Sequence, residues 1–113
     1  MIDKEDVYIG TQFGICKFNK SKRLLVNLKY PTYKDNSEAR YINHIIKLKN
    51  GNTIVGTRDG IYRINRQNDG LQLLTSFSSY GYYLFENNKN QIVTTDVNLN
   101  LSVYNWQSNK LIL

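Results

Sequence analysis

Short runs of alternating apolar and polar residues fill this chain, each closed by a polar turn. INHIIKL (42–48) ends at Lys49-Asn50-Gly51-Asn52, a short run Thr53–Thr57 follows, and Arg58-Asp59-Gly60 turns the chain again. Ile61–Asn65 alternates once more, and Gln67-Asn68-Asp69-Gly70 leads into Leu71–Phe77. Period-two alternation bounded by Gly, Asn and Asp is the pattern of half-buried strands, and Asn-Gly is a strong hairpin signal because both residues tolerate positive φ. Loops of two to five residues are too short for parallel crossovers, so consecutive strands pair antiparallel. The one candidate helix is SEARYINHIIKLK (37–49); its β-branched run Ile42, Ile45, Ile46 and the following Asn-Gly favour a strand.

The pattern repeats. VYIGTQFGICKFN (7–19) matches TIVGTRDGIYRIN (53–65) without a gap: Gly10 with Gly56, Thr11 with Thr57, Gly14 with Gly60, Ile15 with Ile61, Asn19 with Asn65. QIVTT (91–95) aligns with residues 53–57, and the lead-in IKLKNGNTIVGT (46–57) with LFENNKNQIVTT (84–95). Strands are expected near 6–11, 14–19 and 23–29, then 42–48, 53–57, 61–65 and 71–77, then 81–86, 91–95, 99–105 and 109–113. A four-stranded meander recurring every 38 to 46 residues is the signature of β-propeller blades. The expected fold is all-β: antiparallel four-stranded meanders stacked as about two and a half propeller blades, in one partial domain over 1–113. The first blade (1–30) lacks its first strand; residues 31–41 connect it to blade two (42–79) and blade three (80–113).

The repeat resembles the propeller repeat of two-component regulators. The matching positions are Ile9, Gly10, Thr11, Gly14, Ile15, Lys17, Phe18 and Asn19, and again Val55, Gly56, Thr57, Gly60, Ile61, Arg63, Ile64 and Asn65. That family has Trp just before Ile-Gly-Thr, where this chain has Tyr8 and Ile54. The third unit is similar to a WD40-type blade, with Asp96 in the turn and Tyr104-Asn105-Trp106 where Trp-Asp is usual. The first resemblance implies a ligand-sensing module of a membrane kinase that recognises a carbohydrate or similar ligand outside the inner membrane. The second implies a cytoplasmic protein-interaction scaffold. Neither implies catalysis or a cofactor.

Composition narrows the classes further. Hydrophobic residues make up 41% of the 113, with nine Tyr and four Phe, enough for a core. No apolar run is long enough to span a membrane, and the acidic start MIDKEDVYIG does not read as a secretion signal. The net charge of +6 is scattered, densest at Lys20, Lys22 and Arg23 in an expected turn, and no nucleic-acid motif accompanies it. It reads as solubility on turns and strand faces. Lone Cys16 allows no internal disulfide and reads as a packing residue. Lone His44 lacks a partner at motif spacing and reads as packed or surface. Asp3, Glu5 and Asp6 lack the order of a calcium loop and read as a turn. Gly10, Gly14, Gly56 and Gly60 have no following helix for a phosphate loop and read as turn and bulge glycines. Trp106 is expected to pack between blades. No metal or cofactor site is expected. A propeller enzyme would need converging acids, for which the equivalent turn residues Asp59 and Asp96 are the ones to watch.

Binding residues sit on loops held by a rigid scaffold. Strand parity puts the turns between second and third strands on the same end as the connections between blades. The candidate ligand-binding residues at that end are Tyr30, Tyr33, Lys34, Arg40 and Tyr41 from the longest connection, with Phe13, Arg58 and Asp59 from the turns. Aromatics beside Arg and Lys suit stacking on sugar rings or gripping a protein; strand-end packing is the structural alternative for Tyr30 and Tyr41. Two and a half blades do not close a propeller, so the chain is expected to meet remaining blades of a longer protein or to self-associate, with a glycan or protein as ligand.

Overall fold

A computed structural model describes residues 1–31, 40–77 and 81–113. It contains twelve strands: β1 (Ile2–Asp3), β2 (Asp6–Thr11), β3 (Gly14–Asn19), β4 (Leu24–Asn27), β5 (Ile42–Lys47), β6 (Thr53–Thr57), β7 (Gly60–Asn65), β8 (Gly70–Ser76), β9 (Gly81–Glu86), β10 (Ile92–Asp96), β11 (Leu101–Gln107) and β12 (Lys110–Ile112). They form three four-stranded antiparallel meanders in chain order, which we call sheets 1, 2 and 3. This is the fold of a partial β-propeller. The first sheet is not missing its first strand: Ile2 pairs with Val7 and Asp3 with Asp6. The described residues therefore form three four-stranded sheets rather than two and a half.

Local chemistry explains the turns. Thr11 takes the Phe13 N–H on its Oγ1 at 3.0 Å and donates to the Gly14 carbonyl at 3.0 Å. Thr57 likewise accepts from the Asp59 N–H at 3.2 Å, its hydroxyl proton going to Asp59 Oδ1 at 2.8 Å rather than to the more distant Gly60 carbonyl. This hydroxyl clip is why Thr recurs before the second turn of the first two copies. In sheet 3 a carboxylate takes over: Asp96 Oδ1 accepts the N–H groups of Asn98 at 2.8 Å and Asn100 at 3.0 Å. The first turns also repeat. The Leu48 N–H donates to the Asn52 carbonyl, and the Asn87 N–H to the Gln91 carbonyl. The positive φ of Gly51 (93°) recurs at Asn90 (61°). Ser108 and Asn109, with φ of 51° and 64°, form the two-residue hairpin turn that needs positive φ at both positions.

The turns set a register that differs from the gap-free alignment of the third copy. Leu48 and Asn87 play the same part, as do Thr57 and Asp96, so sheet 3 is offset by 39 residues from sheet 2, not 38. Thr94, not Val93, is the counterpart of Val55, and Thr95 is the counterpart of Gly56. The pairings agree: Val55 faces Tyr62 across the ladder and Thr94 faces Ser102, while Gly56 faces Ile61 and Thr95 faces Leu101. A one-residue slip moves every side chain to the opposite sheet face.

Sheet 2 lies between the other two and is buried on both faces. Val55, Tyr62, Ile64 and Leu71 pack with Tyr8, Ile15 and Leu28 of the first segment. Ile54, Ile61 and Leu74 pack with Leu84, Ile92, Tyr104 and Leu111 of sheet 3, and Trp106 lies against this second core, between sheets as expected. Gly10 and Gly56 are not turn or bulge glycines. They lie inside β2 and β6, and each opens a slot for the next sheet: a Cβ on Gly10 would stand 2.4 Å from Ile42 Cγ2, and one on Gly56 3.1 Å from Leu84 Cδ2. Gly14, with φ of 135°, is a true turn glycine.

Ion pairs clasp the first joint. Asp3, only 6% exposed, accepts from Lys47 Nζ of sheet 2 at 3.1 Å and from the Arg66 guanidinium. Arg66 also reaches Thr53 Oγ1 at 3.1 Å. Lys17 Nζ meets Asp69 at 2.5 Å. Burial pushes the Asp3 carboxyl up, but the Lys47 hydrogen bond and the charges of Arg66, Lys47 and Lys4 outweigh it, so its pKa is lowered. Asp3 is thus more than the turn residue its spacing suggests.

Candidate functional site

The second-turn end of sheet 1 carries an open groove of about 380 Å³, lined by Thr11, Phe13, Cys16, Asn27, Tyr30 and Arg40 among others. The Thr11 clip holds the turn so that Phe13 projects into solvent, 83% exposed. Tyr30 follows β4 and Leu28, whose N–H donates to the Ile15 carbonyl at 3.0 Å and so draws the outgoing chain back beneath the turn. Tyr30 lies 4.0 Å from the position a Gly14 Cβ would take. The Arg40 guanidinium carbon stands 5.3 Å from the centroid of the Tyr30 ring, within cation–π range.

Tyr30 is a wall, not a free hydroxyl. Its ring meets Tyr62 edge-on at 5.8 Å, and it packs against the first core. Its buried Oη has no partner among the described residues. Burial, with the Asp59 charge adding to it and the Arg40 charge opposing, pushes its pKa up to about 12. The groove therefore presents the tyrosine's ring and keeps its oxygen in the wall. An aromatic face, an exposed Phe and a guanidinium offer stacking and hydrogen-bond donors.

The other candidates separate from this group. Arg58 stacks on Tyr41 with its guanidinium carbon 3.6 Å from the ring centroid, and its N–H donates to the Tyr41 carbonyl at 3.3 Å. That pair caps the neighbouring end of sheet 2. Asp59 turns inward, accepting from the Thr57 hydroxyl at 2.8 Å and the Tyr62 hydroxyl at 3.1 Å. It anchors the turn and the core tyrosine. Asp96 is likewise bound within its own turn. Tyr33 and Lys34 lie outside the described residues. Among the described residues no group of three His, Cys, Asp or Glu is placed to hold a metal ion.

Asn27, Cys16 and Thr11 line the groove without having been singled out as ligand contacts. Asn27 and Cys16 are cross-strand partners, and only the β3–β4 register places them together at the groove. Cys16 is partly exposed, belongs to neither core cluster and reaches the Ile9 carbonyl through Sγ at 3.9 Å. His44 packs against Tyr83 at 4.4 Å between ring centroids in a tilted arrangement, its Nδ1 is buried without a partner among the described residues, and burial lowers its pKa.

This architecture has counterparts among solved structures. One is the extracellular domain of a B. thetaiotaomicron protein described as a hybrid two-component system, with TM-score 0.64 and 17% identity. The match covers 96% of this chain and 15% of that one. Another is the extracellular domain of a B. thetaiotaomicron protein described as a one-component system, with TM-score 0.63 and 16% identity, covering 90% of this chain and 16% of that one. The likeness is one of fold. This chain spans about a sixth of either structure's length. No protein-family model matches the sequence, and no curated protein matches it.

Proposed function

We propose that this chain is a piece of a sensor domain: a non-catalytic binding module of a regulator's propeller, acting outside the cytoplasm and recognising a carbohydrate or similar ligand. The observation that carries the reading is the groove, where exposed Phe13, the Tyr30 ring and Arg40 converge on a rigid sheet end. Sugars are bound by aromatic faces that cover their C–H surfaces, with charged or amide groups taking the hydroxyls. Arg40 and the Asn27 amide supply those groups here. The solved structures of like fold are extracellular domains of regulators, which supports the sensing role and the compartment.

A glycan array followed by calorimetry tests the proposal. The native chain is expected to bind at least one oligosaccharide class, and Phe13→Ala and Arg40→Ala to weaken that binding tenfold or more. Phe13 is largely exposed, so its removal leaves the fold intact. Absence of binding to every glycan, or binding unchanged in both variants, would sink the proposal.

A further inference from the structure

The end of sheet 2 opposite the groove carries a second opening, a cleft of about 290 Å³ between the β5–β6 turn and the β7–β8 turn. Asn52, Arg63, Asn65, Arg66, Gln67 and Gln72 line it, and no carboxylate does. Two of the amides have their oxygens engaged. Asn65 Oδ1 accepts the Gln67 N–H at 3.0 Å, and Gln72 Oε1 accepts from Arg63 Nη2 at 2.6 Å, which leaves their NH₂ groups to donate. The charge of Arg66 is met by buried Asp3. That of Arg63 is not: its one partner among the described residues is the neutral Gln72 amide.

The repeat shows what belongs beside such a cation. Arg63 faces Ile54 across the ladder as Lys17 faces Tyr8, so the two cations hold the same place in successive sheets. Lys17 crosses the first joint to Asp69, the residue of positive φ (52°) directly before β8. In sheet 3 that place belongs to Asn109, with φ of 64° and directly before β12. The second joint thus keeps the cation and has an amide where the first has a carboxylate. A half-buried guanidinium without a counter-charge is poised to take one. Its planar fork also suits a multi-oxygen anion better than the point charge of Lys17 does.

We propose that this cleft is an oxyanion site: Arg63 receives a carboxylate, sulfate or phosphate group in the role that Asp69 plays one joint earlier, and the Asn65 and Gln72 amides donate to its remaining oxygens. Every lining residue belongs to sheet 2, which has both its neighbouring sheets within this chain. The site is separate from the groove, at the other end of the strands, and does not depend on what the groove binds.

Sodium sulfate and sodium acetate, each titrated into isotope-labelled chain against sodium chloride at matched ionic strength, test the proposal by nuclear magnetic resonance. The Arg63 Nε–H and the Asn65 and Gln72 side-chain amides should shift and saturate with at least one of the two oxyanions, and not with chloride. A response to sulfate alone assigns a tetrahedral group, and a response to acetate alone a carboxylate. Arg63→Gln should keep the native circular dichroism and weaken the binding about tenfold or more. Asn109→Asp alters an exposed turn residue and supplies a carboxylate in the place of Asp69, so it should weaken the binding roughly threefold or more by satisfying Arg63 from within. Shifts that saturate with neither oxyanion, that chloride reproduces, or that survive Arg63→Gln overturn the proposal, as does binding indifferent to Asn109→Asp.

Discussion

Replacing Gly10 by Ala tests whether the repeat glycines exist to admit the next sheet. Two opposing effects follow from the substitution. Losing glycine stiffens the unfolded chain, which by itself stabilises a protein by about 0.4–1 kcal/mol. Against this, the new Cβ would stand 2.4 Å from Ile42 Cγ2 and 2.9 Å from Ile42 Cβ, well inside contact distance. Ile42 is β-branched and belongs to β5, so it cannot swing its near atoms aside; the two strands must part. Overpacking of this kind costs about 1–3 kcal/mol, leaving a net loss of about 1–2 kcal/mol. For a domain of this size that is a drop in Tm of about 4–8 °C, measured by thermal circular dichroism. Trimming Ile42 to Ala removes Cγ2, so the double variant Gly10→Ala/Ile42→Ala should lose less than the sum of the two single losses, by about 1 kcal/mol. A Gly10→Ala protein as stable as the native one, or strict additivity with Ile42→Ala, would refute the slot.

Further outcomes follow from the joints, the turns and the groove. Asp3→Asn leaves Lys47 and Arg66 without their carboxylate and should cost about 1–2 kcal/mol by urea denaturation, the range being reduced because both cations are nearly half exposed. Because the folded pKa of Asp3 is lowered from 3.8, its stabilisation is full above that value and is lost as pH falls through the folded pKa. The native chain should therefore lose stability more steeply than Asp3→Asn below about pH 4, and parallel acid-unfolding curves would contradict this. Tyr30→Phe deletes a buried hydroxyl with no partner among the described residues and should be neutral or stabilising by up to about 1 kcal/mol. The Tyr30 pKa is raised to about 12 in the fold, so the native chain should lose stability as pH rises from about 10 through 12, a loss that Tyr30→Phe should not share. Ultraviolet titration should show one late-ionising tyrosine fewer in Tyr30→Phe. Asp96→Ala frees two turn N–H groups and should cost about 1 kcal/mol, read as a lower Tm.

Strand type and order were legible in the residues because they rest on local chemistry, whereas the short first strand Ile2–Asp3 was not. A period of two, Asn-Gly and Thr-x-x-Gly turns and short loops act within a few neighbours, and the strands stand close to where the pattern puts them. The helix-like stretch 37–49 yields β5 from Ile42, as its β-branched residues indicate. The groove end was legible too, since strand parity alone assigns Phe13, Tyr30 and Arg40 to one end. The rest depended on partners distant in the chain. Sliding the third copy by one residue leaves its residue types almost as well matched, yet reverses which side chains are buried; only the ladder with β9 and β11 decides it. Gly10 looks like any strand glycine until Ile42 arrives from another sheet. Asp3 becomes a buried ion-pair centre only when Lys47 and Arg66 are folded over it. Asp59 is spent on Thr57 and Tyr62, and Arg58 on Tyr41, because these side chains satisfy one another before a ligand could reach them. Sequence by itself determined a stack of antiparallel meanders whose second turns and inter-sheet connections share one end. Tertiary structure decided which residues remain available there, because hydrogen bonds and close contacts between sheets are set by distance in space and not by spacing along the chain.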